Sequence, residues 1–221
     1  MFKKDSNLWL LKARLILEVG ILVSSSYFLL QNFPLFGVYQ MPYSNLDNYI
    51  PFNDQFIWCY QSLYLLIFFR AATYKKANEL INFASVFSLA AIISCFIFFL
   101  FPTMCLRPNS IDANWLYKIF TAFEKPLNAF PSMHVSLVLV TCTFSLSDVN
   151  YPNYTKVFIL MWTLAIIYST LSTKQHVFAD VIGGVIGGVL SHVITDRLKP
   201  LIILEKRWKD FYDRIYNTQK V

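Results

Sequence analysis

Charge is scarce in this chain. Asp, Glu, Lys and Arg make up 14% of its 221 residues, 56% are hydrophobic, and the mean hydropathy is +0.47. An ordinary soluble domain carries about 25% charged residues. The shortage concentrates in apolar blocks, and a helix that crosses a bilayer needs roughly 20 apolar residues. Little room is left for a separate soluble domain. No long linker, low-complexity tract or internal repeat divides the sequence, so residues 1–221 read as one membrane-embedded domain. Other absences exclude chemistry. Cys59, Cys95, Cys105 and Cys142 show no C-x-x-C spacing, which argues against a zinc site. No H-E-x-x-H and no carboxylate cluster suited to magnesium occurs, so neither a metal nor a cofactor is called for. Histidine is rare too: the chain has His134, His176 and His192.

What is present sorts into six apolar blocks, at 15–30, 55–70, 83–101, 133–146, 156–171 and 178–193. They predict an all-α, polytopic integral membrane protein, a six-transmembrane-helix bundle. The second and fourth blocks are short for a full crossing and call for thinning or tilt. The frequent Phe suits lipid-facing surfaces, and Tyr and Trp near the block ends suit the interface. The first block follows a basic start, as in a signal peptide, but no A-x-A-like cleavage site follows it. It reads as an uncleaved span.

The net charge of +6 is informative through its placement. Lys3, Lys4, Lys12 and Arg14 precede the first span, Arg70, Lys75 and Lys76 lie between the second and third, and Lys156 opens the fifth. Arg197, Lys199, Lys206, Arg207, Lys209, Arg214 and Lys220 fill the tail. All fall on one side if the N-terminus is cytoplasmic. The other side keeps Arg107, Lys118, Lys125 and Lys174, and the loop 31–54 has no Lys or Arg. Both termini are therefore expected in the cytoplasm, with the basic tail against anionic headgroups. Nucleic-acid binding is the weaker reading, because the basic residues bracket membrane spans.

Two outer loops stand out, 31–54 and 104–129. The second contains 116–123, whose apolar spacing suits either a short interfacial helix or simple loop packing. Cys95 and Cys142 lie inside spans as small apolar residues. Cys59 and Cys105 fall near the outer face, which leaves a disulfide between them open. Glu18 sits in the first span and needs a partner on a neighbouring helix. His192 lies at the cytoplasmic end of the sixth span and reads as structural.

Arg107-Pro108 follows the third span, His134 opens the fourth in Pro131-Ser132-Met133-His134, and His176 and Asp180 stand four apart between the fifth and sixth. On a helix, residues i and i+4 share a face, so Asp180 could hold one ring nitrogen of His176 and leave the other free to attack. With the N-terminus inside, all of these lie on the outer face. The glycines Gly183, Gly184, Gly187 and Gly188 follow. They suit close helix packing rather than a phosphate loop, since no Lys-Ser or Lys-Thr follows them.

In these residues the chain resembles the type 2 phosphatidic acid phosphatase superfamily of membrane lipid phosphatases and phosphotransferases. The branch it looks most like holds the inositolphosphorylceramide synthases and many small bacterial members. Arg107-Pro108 matches the end of the first family motif. Pro131-Ser132-Met133-His134 matches the second, with Met133 for the family Gly, and His176 and Asp180 match the third. The family Lys position falls at Leu100 and the third-motif Arg position at Thr170, so two phosphate-binding cations are absent. Lys174 is the substitute charge, or else an interfacial lysine.

The resemblance implies a six-helix bundle and a lipid phosphate substrate in the bilayer. His176 would attack phosphorus and form a phosphohistidine, and Asp180 would orient it. His134 would act as acid, then base. Arg107, the Ser132 hydroxyl, the amides near Met133, and Lys174 would bind phosphate. The site would face the periplasm or outside, in a bacterial inner membrane. Two rivals remain: a phosphotransferase that passes the headgroup to an alcohol, and a non-catalytic membrane protein that kept the fold. A transporter is disfavoured, because no paired repeats or broken helices are found.

Overall fold

The computed structural model describes residues 2–108, 112–198 and 203–218. In chain order these form α1 (Phe2–Asn32), β1 (Tyr39–Gln40), α2 (Asn45–Tyr49), α3 (Ile57–Thr73), α4 (Ala77–Leu100), β2 (Thr103–Met104), α5 (Trp115–Phe123), α6 (Met133–Leu146), α7 (Asn153–Ser172), α8 (Phe178–Leu198) and α9 (Ile203–Thr218). A 3-10 turn at Asp54–Phe56 leads into α3. The basic tail residues Lys199 and Lys220 lie outside the described residues.

Among the described residues, five segments are long and apolar enough to cross a membrane: Leu8–Asn32, Asp54–Thr73, Ala77–Leu100, Asn153–Ser172 and Phe178–Leu198. They mark an all-α integral membrane protein. The second expected span is not short, because the 3-10 turn extends it to 20 residues. The fourth is: α6 has 14 residues, about 21 Å at 1.5 Å per residue, against a hydrocarbon core of about 30 Å. Among the described residues there are thus five helices of crossing length and one shorter apolar helix. The reason lies in packing. α6 is surrounded by α3, α4, α7 and α8, and Val135, Ser136, Val138, Val140 and Thr141 along it are buried. Protein rather than lipid meets most of its surface.

The glycines of α8 set how closely α6 approaches. A Cβ on Gly184 would stand 2.5 Å from the Ser132 carbonyl oxygen, and one on Gly183 2.6 Å from the Phe130 ring. The Ser136 hydroxyl donates to the Gly184 carbonyl at 2.8 Å. Small residues let helices touch backbone to backbone where lipid supplies no hydrophobic drive between them.

At the end of the bundle away from His134 and His176, Arg70 is buried. It donates to Asp148 at 2.8 Å and to the Phe144 carbonyl at 3.2 Å, and its guanidinium lies 3.9 Å from the Tyr74 ring centre. Removing one partner of such a pair costs about 3–5 kcal/mol. Burial opposes ionisation of Asp148, but hydrogen bonds from Asn150 and Arg70 outweigh it and hold the carboxyl below its usual range. Glu18 finds its partners at the same end. It accepts from Arg14 at 2.8 Å and from the indole N–H of Trp208 at 2.9 Å, and Arg207 stands 3.6 Å away. Trp208 is buried, so α9 is docked on α1 and α4. His192 meets the Thr143 hydroxyl at 2.7 Å and stacks on Phe144, as a structural residue would.

At the other end the loops knit together. β1 pairs with β2 in parallel, Tyr39 opposite Thr103 and Gln40 opposite Met104. Met104 bridges Leu127, and the Cys105 amide donates to the Pro126 carbonyl. All four cysteines are free, so the Cys59–Cys105 disulfide does not form. The stretch 116–123 is helical, within α5. Its exposed Trp115, Ile119 and Phe123 make a stripe at i, i+4, i+8, as a helix lying in the interface requires.

Candidate active site

The His176 loop is fixed at both ends by the backbone. α7 ends with Lys174 in the left-handed region, φ 54°, which returns the chain after a helix. The amides of Gln175 and His176 then donate to the Thr170 carbonyl, each at 3.1 Å. Thr170 stands where the family pattern has an arginine, and here its role is to hold this turn. α8 begins at Phe178, so His176 and Asp180 do not share a helix as their spacing suggests. His176 lies in the turn, while Asp180 sits in the first helical turn and accepts from the Val177 amide at 2.9 Å.

The closest partner of the His176 ring is therefore not Asp180. Its Nδ1 lies 2.9 Å from the Ala129 carbonyl oxygen and 3.4 Å from Asp180 Oδ2. A carbonyl can only accept, so Nδ1 carries the hydrogen and a neutral ring keeps its lone pair on Nε2. Asp180 adds charge behind the ring. It is fully buried, and its Oδ1 has no partner among the described residues. Thr103 holds the Ala129 carbonyl in place, since its carbonyl accepts from the Ala129 amide and its hydroxyl from the Phe130 amide at 2.7 Å.

The cap over this loop comes from α2. Asp47 is buried and accepts from the Phe178 amide at 2.6 Å, so it caps α8 from a distance in sequence. The Lys174 ammonium donates to the carbonyls of Asp47 at 2.9 Å and Ile50 at 2.6 Å. Lys174 thus tethers the cap to the histidine loop rather than reaching into open space as a spare cation.

His134 opens α6. Its ring stacks on Tyr60 with centroids 3.9 Å apart, and its Nδ1 meets the Tyr60 hydroxyl at 3.1 Å. Its Nε2 is buried and has no partner among the described residues. Ser132 caps the helix, its hydroxyl accepting from the Val135 amide. The Ser132 amide itself donates to the Asp180 carbonyl at 2.9 Å. Of the amides expected to cradle an anion, Ser132's is already used. Those of Met133 and His134 are the ones the first helical turn leaves without an intrahelical acceptor.

Arg107 turns its fork toward the backbone. It donates to the Glu124 carbonyl at 2.5 Å and to that of Lys125 at 3.4 Å, with the Glu124 carboxylate 4.0 Å away. Glu124, which the sequence did not single out, accepts from the Tyr27 hydroxyl at 2.6 Å. Burial pushes its carboxyl up, against the opposing effects of the Tyr27 hydrogen bond, Arg107 and His176. Such a carboxyl favours the folded state while protonated. That contribution is complete below the unfolded value and is lost as pH rises through the folded one. The window opens near pH 4.5, the ordinary value, and extends upward. Glu124→Gln cannot ionise, so its melting temperature should fall less than the wild type's as pH rises through this window. Parallel melting curves in detergent would overturn the assignment.

Arg107, His134, His176 and Asp180, which the sequence placed on one face, thus gather around the joint of α6, α8 and the outer loops. Leu100 is half exposed at the end of α4 and supplies no charge. A family model described as the PAP2 superfamily matches residues 40–194. The chain belongs to the PAP2 superfamily. No curated protein and no solved structure matches it. Membership places this protein among enzymes of phosphatase type. The matched residues hold every site residue named above except Tyr27, which lies on α1. α1 and α9 stand outside the match.

Tyr60, Asp47, Glu124 and the Ala129 carbonyl are among the site features that sequence reasoning missed. Tyr60 belongs to an apolar helix where a tyrosine reads as an interfacial residue. Asp47 stands in Ser44-x-x-Asp47, a capping-box signature before α2, but nothing local reveals its bond to Phe178. A backbone carbonyl leaves no mark in sequence.

Proposed function

We propose that this PAP2-superfamily protein releases phosphate from a membrane lipid phosphate or diphosphate through a phosphohistidine on His176. The observation that carries the reading is the Ala129 carbonyl on His176 Nδ1, which leaves Nε2 as the nucleophile. In the first step Nε2 attacks phosphorus in line, an N–P bond forms, and the P–O bond to the lipid breaks. Asp180 stabilises the imidazolium that results.

Beside the anionic phosphate His134 enters the step as the imidazolium and gives the departing lipid oxygen its proton from Nε2. Its Nδ1–H meanwhile donates to the Tyr60 oxygen, so the neutral product keeps a lone pair on Nε2. That lone pair takes the proton of the incoming water, which attacks phosphorus and returns His176. Phosphoryl transfer needs charge on the equatorial oxygens. The amides of Met133 and His134 supply part of it. Arg107 supplies the rest if its fork exchanges the Glu124 carbonyl for a phosphate oxygen. Lys174 contributes by holding the cap, with its charge behind the loop. The charge asymmetry of the sequence supports a cytoplasmic N-terminus, six crossings with α6 as the fourth, and a site open to the periplasm or outside.

The test is phosphate release from a panel of lipid phosphates and diphosphates, with purified protein in detergent and EDTA present. EDTA-resistant release that falls in His134→Ala is the expected result. If no lipid yields phosphate, a candidate alcohol is added. A new phospholipid would then favour headgroup transfer, and none would favour the non-catalytic reading.

A further inference from the structure

His134 stands at one end of a cavity of about 600 Å3. On α1 its wall runs from Gln31 to Lys12, about 28 Å at 1.5 Å per residue. Its polar groups cluster toward the end nearer the site, where Gln31, Glu124 and His134 line it. Leu, Ile, Val and Phe side chains dominate the remainder. At the far end it is lined by Lys12, which is buried with its ammonium on the Ala72 carbonyl at 2.6 Å. One polar end lined by Gln31, Glu124 and His134, followed by a long apolar stretch, has the pattern of a single amphiphile: phosphate at the polar end, hydrocarbon beyond. The α1 wall lies outside residues 40–194, which the family model matches.

The depth decides which chain fits. A bilayer's hydrocarbon core is about 30 Å, so one leaflet spans about half of that. A chain only one leaflet long would leave the half of the channel near Lys12 empty, and an empty stretch forfeits contacts along its walls. Moving a chain from lipid into the channel gains nothing from the hydrophobic effect, because the bilayer is as apolar as the protein. Contact along the channel is therefore what discriminates. We propose that this channel holds the hydrocarbon chain of the lipid phosphate, and that it selects chains longer than one leaflet. This rests on the function proposed above.

Gly20 lies midway along the α1 wall, and a Cβ there would meet nothing within 4 Å. Gly20→Phe therefore has room for its Cβ and carries a ring into the channel wall at that level. Ser24→Phe does so one turn closer to His134. The probes are single-chain prenyl or alkyl phosphates of graded length in nanodiscs. In the wild type, kcat/KM should rise with length beyond one leaflet. In Gly20→Phe the rise should stop midway, with a loss of ~10-fold or more for the longest chains and none for the shortest. Ser24→Phe should move the cut-off to shorter chains. A wild-type rate independent of length, or an equal loss at every length, overturns the proposal. If the wild type releases no phosphate at all, the proposed function fails separately. Retention of the longest prenyl phosphate by native mass spectrometry, lost in Gly20→Phe, then still decides whether the channel binds it.

Discussion

His176→Ala is expected to reduce phosphate release at least ~10^4-fold, to background, as removal of a catalytic nucleophile does. The fold should survive. The ring makes one hydrogen bond, to Ala129, and losing such a bond costs about 0.5–1.5 kcal/mol. Asp180 would keep its bond from the Val177 amide, so the first turn of α8 stays capped. His134→Ala should behave differently. Loss of an acid–base group costs ~10^2–10^4-fold, and less on a substrate whose leaving group needs no proton. Rapid quenching of the wild type with labelled substrate should trap an acid-labile, alkali-stable phosphoenzyme, absent from His176→Ala. A His176→Ala protein that still turns over, or still traps the label, would remove His176 from the nucleophile's role.

The contrast between these two residues also shows what could be read from the chain before its fold was seen. The four-residue step from His176 to Asp180, the Pro131-Ser132-Met133-His134 run and Arg107-Pro108 were legible because each is local. So was the glycine run of α8, whose packing against α6 the structure bears out. The supports of these residues were not legible, because they join distant segments. Asp47 reaches Phe178, Tyr60 reaches His134, and the Ala129 carbonyl reaches His176. Lys174 illustrates the same limit from the other side. Its charge and position suggested a phosphate ligand, yet the nearest acceptors turned out to be two carbonyls of the cap. Glu18 resolved in a like manner. An ionisable group in a span demands a partner, and the partner lay at the far end of the sequence, in Trp208. Of the span lengths, the short fourth was legible in its apolar block, whereas the second ran longer than its block because the 3-10 turn at Asp54–Phe56 extends it.

Gly184→Ala should lower both stability and rate, although residue 184 touches no reacting atom. Its new Cβ would stand 2.5 Å from the Ser132 carbonyl oxygen. That atom belongs to the cap of α6 and cannot yield as a flexible side chain would. Overpacking of this kind costs about 1–3 kcal/mol. The helix can relieve it by moving its first turn, and that turn carries His134, while the Ser132 amide is bonded to the Asp180 carbonyl. The same displacement thus shifts the proposed acid relative to the proposed nucleophile. Gly187→Ala should cost less, because its Cβ meets the Ser136 hydroxyl at 3.0 Å, an atom that can rotate. Gly20→Ala should not lower stability, since a Cβ there meets nothing within 4 Å. Melting temperature and kcat measured across the three variants should rank in that order. A Gly184→Ala protein as stable and as active as the wild type would mean that the close contact of α6 and α8 does not set the distance between the histidines.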